Sequence, residues 1–179
     1  RQQSARMLID SFLPEGITQL AVDSIFMMPQ LGVLANIDQK DLAENARKAA
    51  LEVFNKDCLI RLGTCVSPVG KANTGDIILS VSLVMSDGSE HQIELHQGEL
   101  LSIPAEYEPI KAKLIPGKGM DVGAGKNEEI NTSLYGGVVG LVFDGRGRPF
   151  NLPAENDSRI HSLNEWSSAM NEYPDGEEK

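Results

Sequence analysis

The sequence predicts an α+β fold: a mainly β sandwich or small barrel over about residues 58–153, with N-terminal helices and a C-terminal helix. Apolar residues recur at helical spacing before residue 55 and again near the C-terminus. Between those regions they alternate with polar residues, which is the two-residue period of a half-buried strand. Gly, Pro and Asp-Gly separate the alternating runs, so we expect the strands to be short.

The first third of the chain predicts helix, strand and helix in that order. Residues 4–13 carry four apolar side chains at helical spacing, and a Pro and a Gly follow them. Residues 17–22 form a short apolar run that indicates a strand. Residues 38–54 place Leu, Ala, Val and Phe on one face, with Asp38 as the N-cap. Between them, residues 26–35 are almost wholly apolar and must be buried against something.

The middle of the chain predicts a sheet. Residues 77–85 alternate apolar with Ser, and Ser-Asp-Gly-Ser then favours a hairpin that leads into a return strand at residues 92–96. Residues 110–114 alternate apolar with Lys. Residues 138–143 are apolar on both faces, so we expect them to form the most central strand.

The end of the chain predicts one more helix, and the change of period predicts a boundary. Ile160, Leu163, Trp166 and Met170 fall on one stripe, Asp157 or Ser158 is a suitable cap, and Pro174 ends the helix. The period switches from helix to strand near residues 55–57. We therefore predict two parts, residues 1–56 and residues 57–179.

Composition limits which cellular compartment and which binding partners we expect for this protein. The 16 basic and 26 acidic residues give a net charge of −10, which argues against nucleic acid as a partner and weakens attraction to anionic membranes. No run approaches the roughly 18 apolar residues that a membrane span needs. Two cysteines fit a reducing compartment, so we expect a cytoplasmic protein. The start lacks both Met and a secretory signal, which predicts a piece of a longer protein.

A glycine-rich stretch at residues 117–126 is the first candidate site. A Walker loop needs Gly where Met120 stands and Ser or Thr where Asn127 stands, so the P-loop is excluded by spacing. Two interpretations remain: a connection between strands, which we favour, or a loop whose backbone amides bind phosphate. The residues of the possible glycine loop are Gly117, Gly119, Asp121, Gly123, Gly125 and Lys126.

The loop that follows the apolar strand is the second candidate. Asp144, Arg146 and Arg148 stand at alternate positions, and arginine forks bind carboxylates and phosphates bidentately. A solvated turn is the simpler interpretation, and a polar contact loop is the functional one. No metal-binding spacing is present: Cys58 and Cys65 are too far apart for a Cys-x-x-Cys site. A hydrolase that uses one of these thiols with a histidine stays a third, weaker hypothesis.

Several stretches together resemble the MutL-type accessory proteins of adenosylcobalamin-dependent glutamate (methylaspartate) mutase and related aminomutases, which are unrelated to the mismatch-repair protein of that name. The likeness spans nearly the whole chain. The matching segments are residues 14–18 (PEGIT), 22–34 (VDSIFMMPQLGVL), 57–64 (DCLIRLGT), 117–126 (GKGMDVGAGK), 136–140 (GGVVG), 144–149 (DGRGRP) and 163–166 (LNEW).

This resemblance implies an actin-like ATPase domain upstream of the chain and a reactivase or chaperone-like role toward the mutase. It implies ATP with Mg²⁺ as the ligands of the full-length protein. Asp121-Val122-Gly123 is similar to the Asp-x-Gly phosphate motif of such ATPases, but no apolar strand leads into it. No ATPase site is therefore transferred to this chain, and we expect it to have no cofactor, no metal and no activity as an enzyme in its own right.

The leading hypothesis is thus a non-catalytic, partner-binding or regulatory C-terminal module that binds cobalamin-dependent mutase subunits. In actin-like folds the second lobe ends with a strand and a helix, so residues 1–56 are interpreted as the end of that lobe. We then expect residues 26–34 to expose apolar surface, which another chain, including a second copy, would cover. The alternative is an oligomerisation or structural β domain of an unrelated protein.

Overall fold

The computed structural model describes residues 1–35 and 40–173, so the predicted cap Asp38 and the predicted helix stop Pro174 lie outside the described residues. The helices are α1 (Gln2–Phe12), α2 (Met28–Ala35), α3 (Lys40–Val53) and α4 (Asn156–Ala169), with a π-helical turn at Phe54–Cys58. The strands are β1 (Gly16–Asp23), β2 (Leu59–Ser67), β3 (Ile77–Val84), β4 (Glu90–His96), β5 (Leu100–Ile103), β6 (Pro109–Pro116), β7 (Ile130–Tyr135) and β8 (Gly140–Asp144). Within the described part of the chain, no helix is both long and apolar enough to cross a membrane.

The chain divides into two compact units. Arg1–Leu20 belongs with Leu62–Lys179, and Ala21–Arg61 forms the second unit. The switch from helix to strand occurs where the sequence predicts it, at the turn after α3. The units nevertheless divide the chain differently from the two predicted parts, because α1 and the start of β1 group with the β-rich unit. The origin of residues 1–56 in an ATPase lobe stays a prediction.

Two four-stranded sheets form the β-rich part, and the predicted sandwich is confirmed. One sheet has the order β1-β2-β8-β5, and the other has the order β4-β3-β6-β7. β2 pairs with β8 in parallel, whereas β5 pairs with β8 antiparallel and the second sheet is antiparallel throughout. Both sheets contribute aliphatic side chains to one core. Its buried members include Val66, Leu141 and Phe143 from the first sheet and Leu79, Val81, Leu83 and Leu114 from the second.

β8 confirms the prediction of a strand buried on both faces. It lies between β2 and β5, and all five of its residues are buried. Val138 precedes the strand and is partly exposed. The antiparallel hairpin of β3 and β4 is also confirmed, with the Asp87 carboxylate accepting a hydrogen bond from the Ser89 amide at 2.8 Å.

Three details of the predicted pattern are wrong. The alternation in residues 77–85 predicts Ile77 on the buried face of β3, but a β-bulge between Ile77 and Leu79 shifts the register and turns Ile78 inward instead. The predicted buried stripe of α4 includes Ile160, but Ile160 is exposed, and only the C-terminal half of that stripe is buried. α4 has Glu155 as its N-cap residue, so the two predicted caps fall inside its first turn.

The second unit exposes the apolar segment that the sequence singles out. Pro29 is the second residue of α2, where a helix does not need its missing N–H group, and Asp23 accepts a hydrogen bond from the Met28 amide at 2.8 Å. Phe26, Met28 and Val33 are 74%, 60% and 71% exposed. The expectation of exposed apolar surface in residues 26–34 is thus confirmed for these side chains, whereas the expectation that the stretch is buried is not met by them within this chain.

Glycine is required where β2 and β8 meet. Gly63 lies opposite Gly140 in the parallel ladder, and both have positive φ, 139° and 95°. A Cβ atom on Gly63 would overlap the carbonyl oxygen of Gly140. The two backbones therefore approach more closely than any side chain at Gly63 would permit.

We predict that Gly63→Ala lowers the free energy of unfolding by about 3 kcal/mol, because the overlap adds to the cost of the backbone conformation. Urea denaturation measures the difference. Gly88→Ala is the matched control: Gly88 also has positive φ, 83°, but its Cβ would enter open space, so we expect a loss of about 1 kcal/mol. Equal losses for the two variants would contradict the close approach.

Candidate functional site

The loop after β8 brings its three charged residues into one buried cluster. The Asp144 carboxylate accepts hydrogen bonds from Arg146 Nε at 2.9 Å, from Arg146 Nη2 at 3.0 Å and from Arg148 Nη2 at 2.9 Å. The side chains of Asp144, Arg146 and Arg148 are 0%, 1% and 3% exposed. The sequence predicted a solvated turn or a contact loop for an outside carboxylate. The carboxylate that the arginines hold is instead their own Asp144.

Burial and charge act on this cluster in opposite directions. Desolvation by itself would raise the pKa of Asp144, but the hydrogen bonds and charges of Arg146 and Arg148 outweigh it and hold that pKa below its usual value. Burial by itself would lower the pKa of Arg146, but the carboxylates of Asp144 and Asp10 raise it. Asp144 and Arg146 are therefore both charged at neutral pH.

The cluster extends to parts of the chain that sequence reasoning did not connect with it. Arg148 Nε donates to the Pro14 carbonyl at 2.9 Å, and its Nη2 donates to Ser67 Oγ at 2.8 Å. Asp10 Oδ1 lies 2.6 Å from Arg146 Nη2 as an ion pair. The loop is thereby tied to α1, to the segment before β1 and to the end of β2. No local pattern signals these contacts, since each joins residues far apart in sequence.

Two aromatic rings complete the surroundings of Arg146. Its guanidinium carbon lies 4.7 Å from the centre of the Phe150 ring and 5.2 Å from that of Trp166, within cation–π range. The Trp166 indole N–H donates to the Gly98 carbonyl at 2.9 Å. Arg146 Nη1 has no hydrogen-bond partner among the described residues. α4 is thus fixed to the loop through Trp166.

The possible glycine loop connects β6 to β7, as the favoured interpretation predicted. Asp121 Oδ1 accepts hydrogen bonds from the amides of Gly123 and Gly125, at 2.7 and 3.1 Å. The Asn127 side chain accepts one from the Gly119 amide at 2.5 Å. These are the amides that a bound phosphate would need, and the loop uses them internally. A like-charged carboxylate also stands where the phosphate would lie, so the geometry favours a structural loop.

Cys65 and the three histidines have different polar neighbours among the described residues: the Cys65 thiol lies 3.5 Å from Ser67 Oγ. Cys65 is fully buried, and its pKa is raised to about 12, first by desolvation and then by the charge of Asp144. The imidazoles have other neighbours: His91 lies against Ser89, His96 against Glu99 and His161 against Glu165. The structure therefore gives the thiol–histidine hypothesis no pair at Cys65. Among residues 1–35 and 40–173, no group of three or more His, Cys, Asp or Glu could hold a metal ion.

A broad groove lies beside the buried cluster. It has a volume of about 1040 Å³ and is lined by the segment after β2, the turn between β4 and β5, the loop after β8 and the face of α4 that carries Trp166. Its polar and apolar lining groups are mixed. Sequence reasoning did not predict it, because its walls come from four separate segments.

Comparison with known proteins adds no family: no family model, no curated protein and no solved structure matches this chain. The resemblance to the mutase accessory proteins therefore stays a prediction that depends on the segments named above.

We predict that Asp144→Asn lowers the free energy of unfolding by about 3–5 kcal/mol at neutral pH, because it removes the carboxylate that pairs with Arg148 and one of the two that pair with Arg146. The wild-type contribution is complete above the unfolded carboxyl pKa of about 3.9 and is lost as pH falls through the lower folded pKa. The difference between the two proteins should thus stay constant above about pH 5 and shrink as the pH falls further. Urea denaturation at several pH values measures this.

Glu128→Gln is the control for that series, since it removes the same charge from an exposed residue and should change the free energy of unfolding by less than about 0.5 kcal/mol. A difference between wild type and Asp144→Asn that is constant with pH would contradict the assignment of a charged, low-pKa Asp144.

We also predict that Cys65 resists iodoacetamide at pH 8 in the folded chain, because only the thiolate reacts and its raised pKa keeps this thiol protonated. In urea both cysteines should react fully. Peptide mass mapping distinguishes the two thiols. Rapid alkylation of Cys65 in the folded state would restore the hypothesis of a reactive thiol.

Proposed function

We propose that the chain is a non-catalytic, partner-binding module, and that the partner binds the apolar surface of residues 21–61. The observation that carries this proposal is the exposure of apolar side chains in that unit. Ile25, Phe26, Met28 and Val33 are more than half exposed, and Leu51 and Val53 of α3 are about half exposed. Contiguous apolar patches on soluble proteins commonly mark interaction sites.

The charge distribution supports the same surface. Residues 21–61 contain five basic and six acidic residues, so this unit carries −1 of the net charge of −10 and the rest of the chain carries −9. Residues 24–35 contain no charged residue at all. An apolar partner would therefore bind there without desolvating a charge, which is the main cost of covering a polar surface.

The partner is proposed from the sequence resemblance. Residues 22–34 and 57–64 are two of the segments that resemble the mutase accessory proteins, and the exposed side chains of α2 belong to the first of them. We propose a subunit of an adenosylcobalamin-dependent mutase as the partner, in the cytoplasm. Any effect of ATP and Mg²⁺ would be exerted by the full-length protein, through nucleotide-dependent closure of its ATPase lobes.

A second candidate function is oligomerisation. An uncharged apolar surface is compatible with a second copy of itself, since no like charges of residues 24–35 would meet across a two-fold axis. Under this alternative, the chain is a structural domain, and a second copy of the chain covers the same surface.

We predict that the immobilised chain retains purified mutase subunits and that Val33→Asp lowers this retention about tenfold or more, because it places a charge in the proposed contact. Ile160→Asp is the matched control: Ile160 is 57% exposed on α4, outside the proposed surface, and its replacement should leave retention unchanged. Equal retention by wild type and Val33→Asp would remove the surface from consideration.

Analytical ultracentrifugation of the same three proteins separates the two functions. Concentration-dependent dimers that Val33→Asp abolishes would favour oligomerisation. A monomer that retains the mutase subunits favours the accessory role. If neither the chain nor the full-length protein binds the mutase, with or without ATP and Mg²⁺, the proposed accessory role is wrong.

A further inference from the structure

The groove beside the buried cluster opens at a particular edge of the first sheet. Two of its walls are the segments that follow β2 and β8, which include Gly70–Gly75 and Arg146–Pro149. Because β2 and β8 are parallel, their carboxyl ends lie at the same edge. Ligands of parallel sheets commonly bind outside that edge, and the volume of about 1040 Å³ suits a small molecule.

Most of the charged groups that line this groove already have partners. Its cationic side chains are Lys71, Arg146 and Arg148, and its carboxylates are Glu99 and Glu165. Both carboxylates have a histidine partner at 3.1 Å. Arg146 and Arg148 pair with Asp144, and Arg146 also pairs with Asp10, which leaves Lys71 as the lining cation without an ion pair among the described residues.

Arg146 adds donor capacity that the protein does not use. Its Nε and Nη2 bind Asp144, but its Nη1 has no hydrogen-bond partner in residues 1–35 and 40–173, and the side chain is 1% exposed. A guanidinium carries five N–H donors in a fixed plane, and a buried donor without an acceptor is costly. An anionic oxygen within the groove would supply the acceptor.

We propose that this groove binds a small ligand through a carboxylate or phosphate group, held by Lys71 and the guanidinium of Arg146. The body of the ligand lies against Trp166 and Pro149, which supply the apolar part of the wall. The residues that line this groove differ from those of the proposed apolar surface in residues 21–61.

The second large groove of the β-rich unit provides a contrast. It has a volume of about 660 Å³, and its charged lining groups are Asp87, Glu106 and Glu108, with no Lys or Arg among the described residues that line it. An anion would be repelled there. Anion binding is thus expected of one groove and not of the other.

Trp166 makes the proposal directly measurable. It is the only tryptophan of the chain and lines the groove, so its fluorescence reports occupancy. The intact chain is titrated with inorganic phosphate and, separately, with succinate, each at constant ionic strength set with sodium chloride. We expect a saturable change with a Kd on the order of 1 mM for one anion or both.

Lys71→Ala should weaken that Kd about tenfold, since it removes the exposed cation that faces the ligand. Lys118→Ala is the matched control, because Lys118 is an exposed lysine outside the groove. The Kd of this variant should stay within about twofold of the wild-type value. Saturation by phosphate alone or by succinate alone would identify the anionic group. A response that does not saturate with either anion, or that both lysine variants weaken equally, would overturn the proposal.

Discussion

The β-rich unit depends on one buried charge, the carboxylate of Asp144. Burying an isolated carboxylate would cost more free energy than the net stability of a domain, so a buried carboxylate must be paired and hydrogen-bonded. Two arginines from the same loop meet that requirement, and the ion pairs continue outward through Asp10 to Arg6 of α1. Arg6 in turn binds Glu172 after α4, at 2.9 Å. Segments near both ends of the chain are therefore connected to the loop after β8 by one continuous series of ion pairs.

These ion pairs lie between the first sheet and the groove. Asp144 ends β8, and Ser67, which binds Arg148, ends β2. The close approach of Gly63 to Gly140 brings these two strands together, and the ion cluster then fixes the loops that leave them. The loops form walls of the groove. Its shape is thus a consequence of the backbone contact between Gly63 and Gly140 and of the ion pairs of Asp144.

Residues 21–61 expose apolar side chains that the β-rich unit would bury. In the β-rich unit, apolar side chains fill a shared core and polar ones are paired within it. In the smaller unit, large apolar side chains of α2 and α3 face solvent, and the surrounding charge is close to balanced. A surface of this kind loses little polar hydration when it is covered and gains the burial of apolar area. That difference is why the proposed partner contact lies on this unit.

Patterns along the chain were enough to predict the local elements. Alternation predicted β3, β4 and β6, the Asp-Gly pair predicted the hairpin, and an apolar run predicted the interior position of β8, because these patterns depend on neighbours along the chain. Contacts between distant segments, by contrast, set the parallel pairing of β2 with β8, the burial of Asp144 between two arginines and the exposure of Ile160. The candidate site was found by sequence only as three charged residues in one loop. Its partners Asp10 and Ser67 come from distant segments, and the burial that turns a solvated loop into an ionic core depends on contacts that no local period encodes.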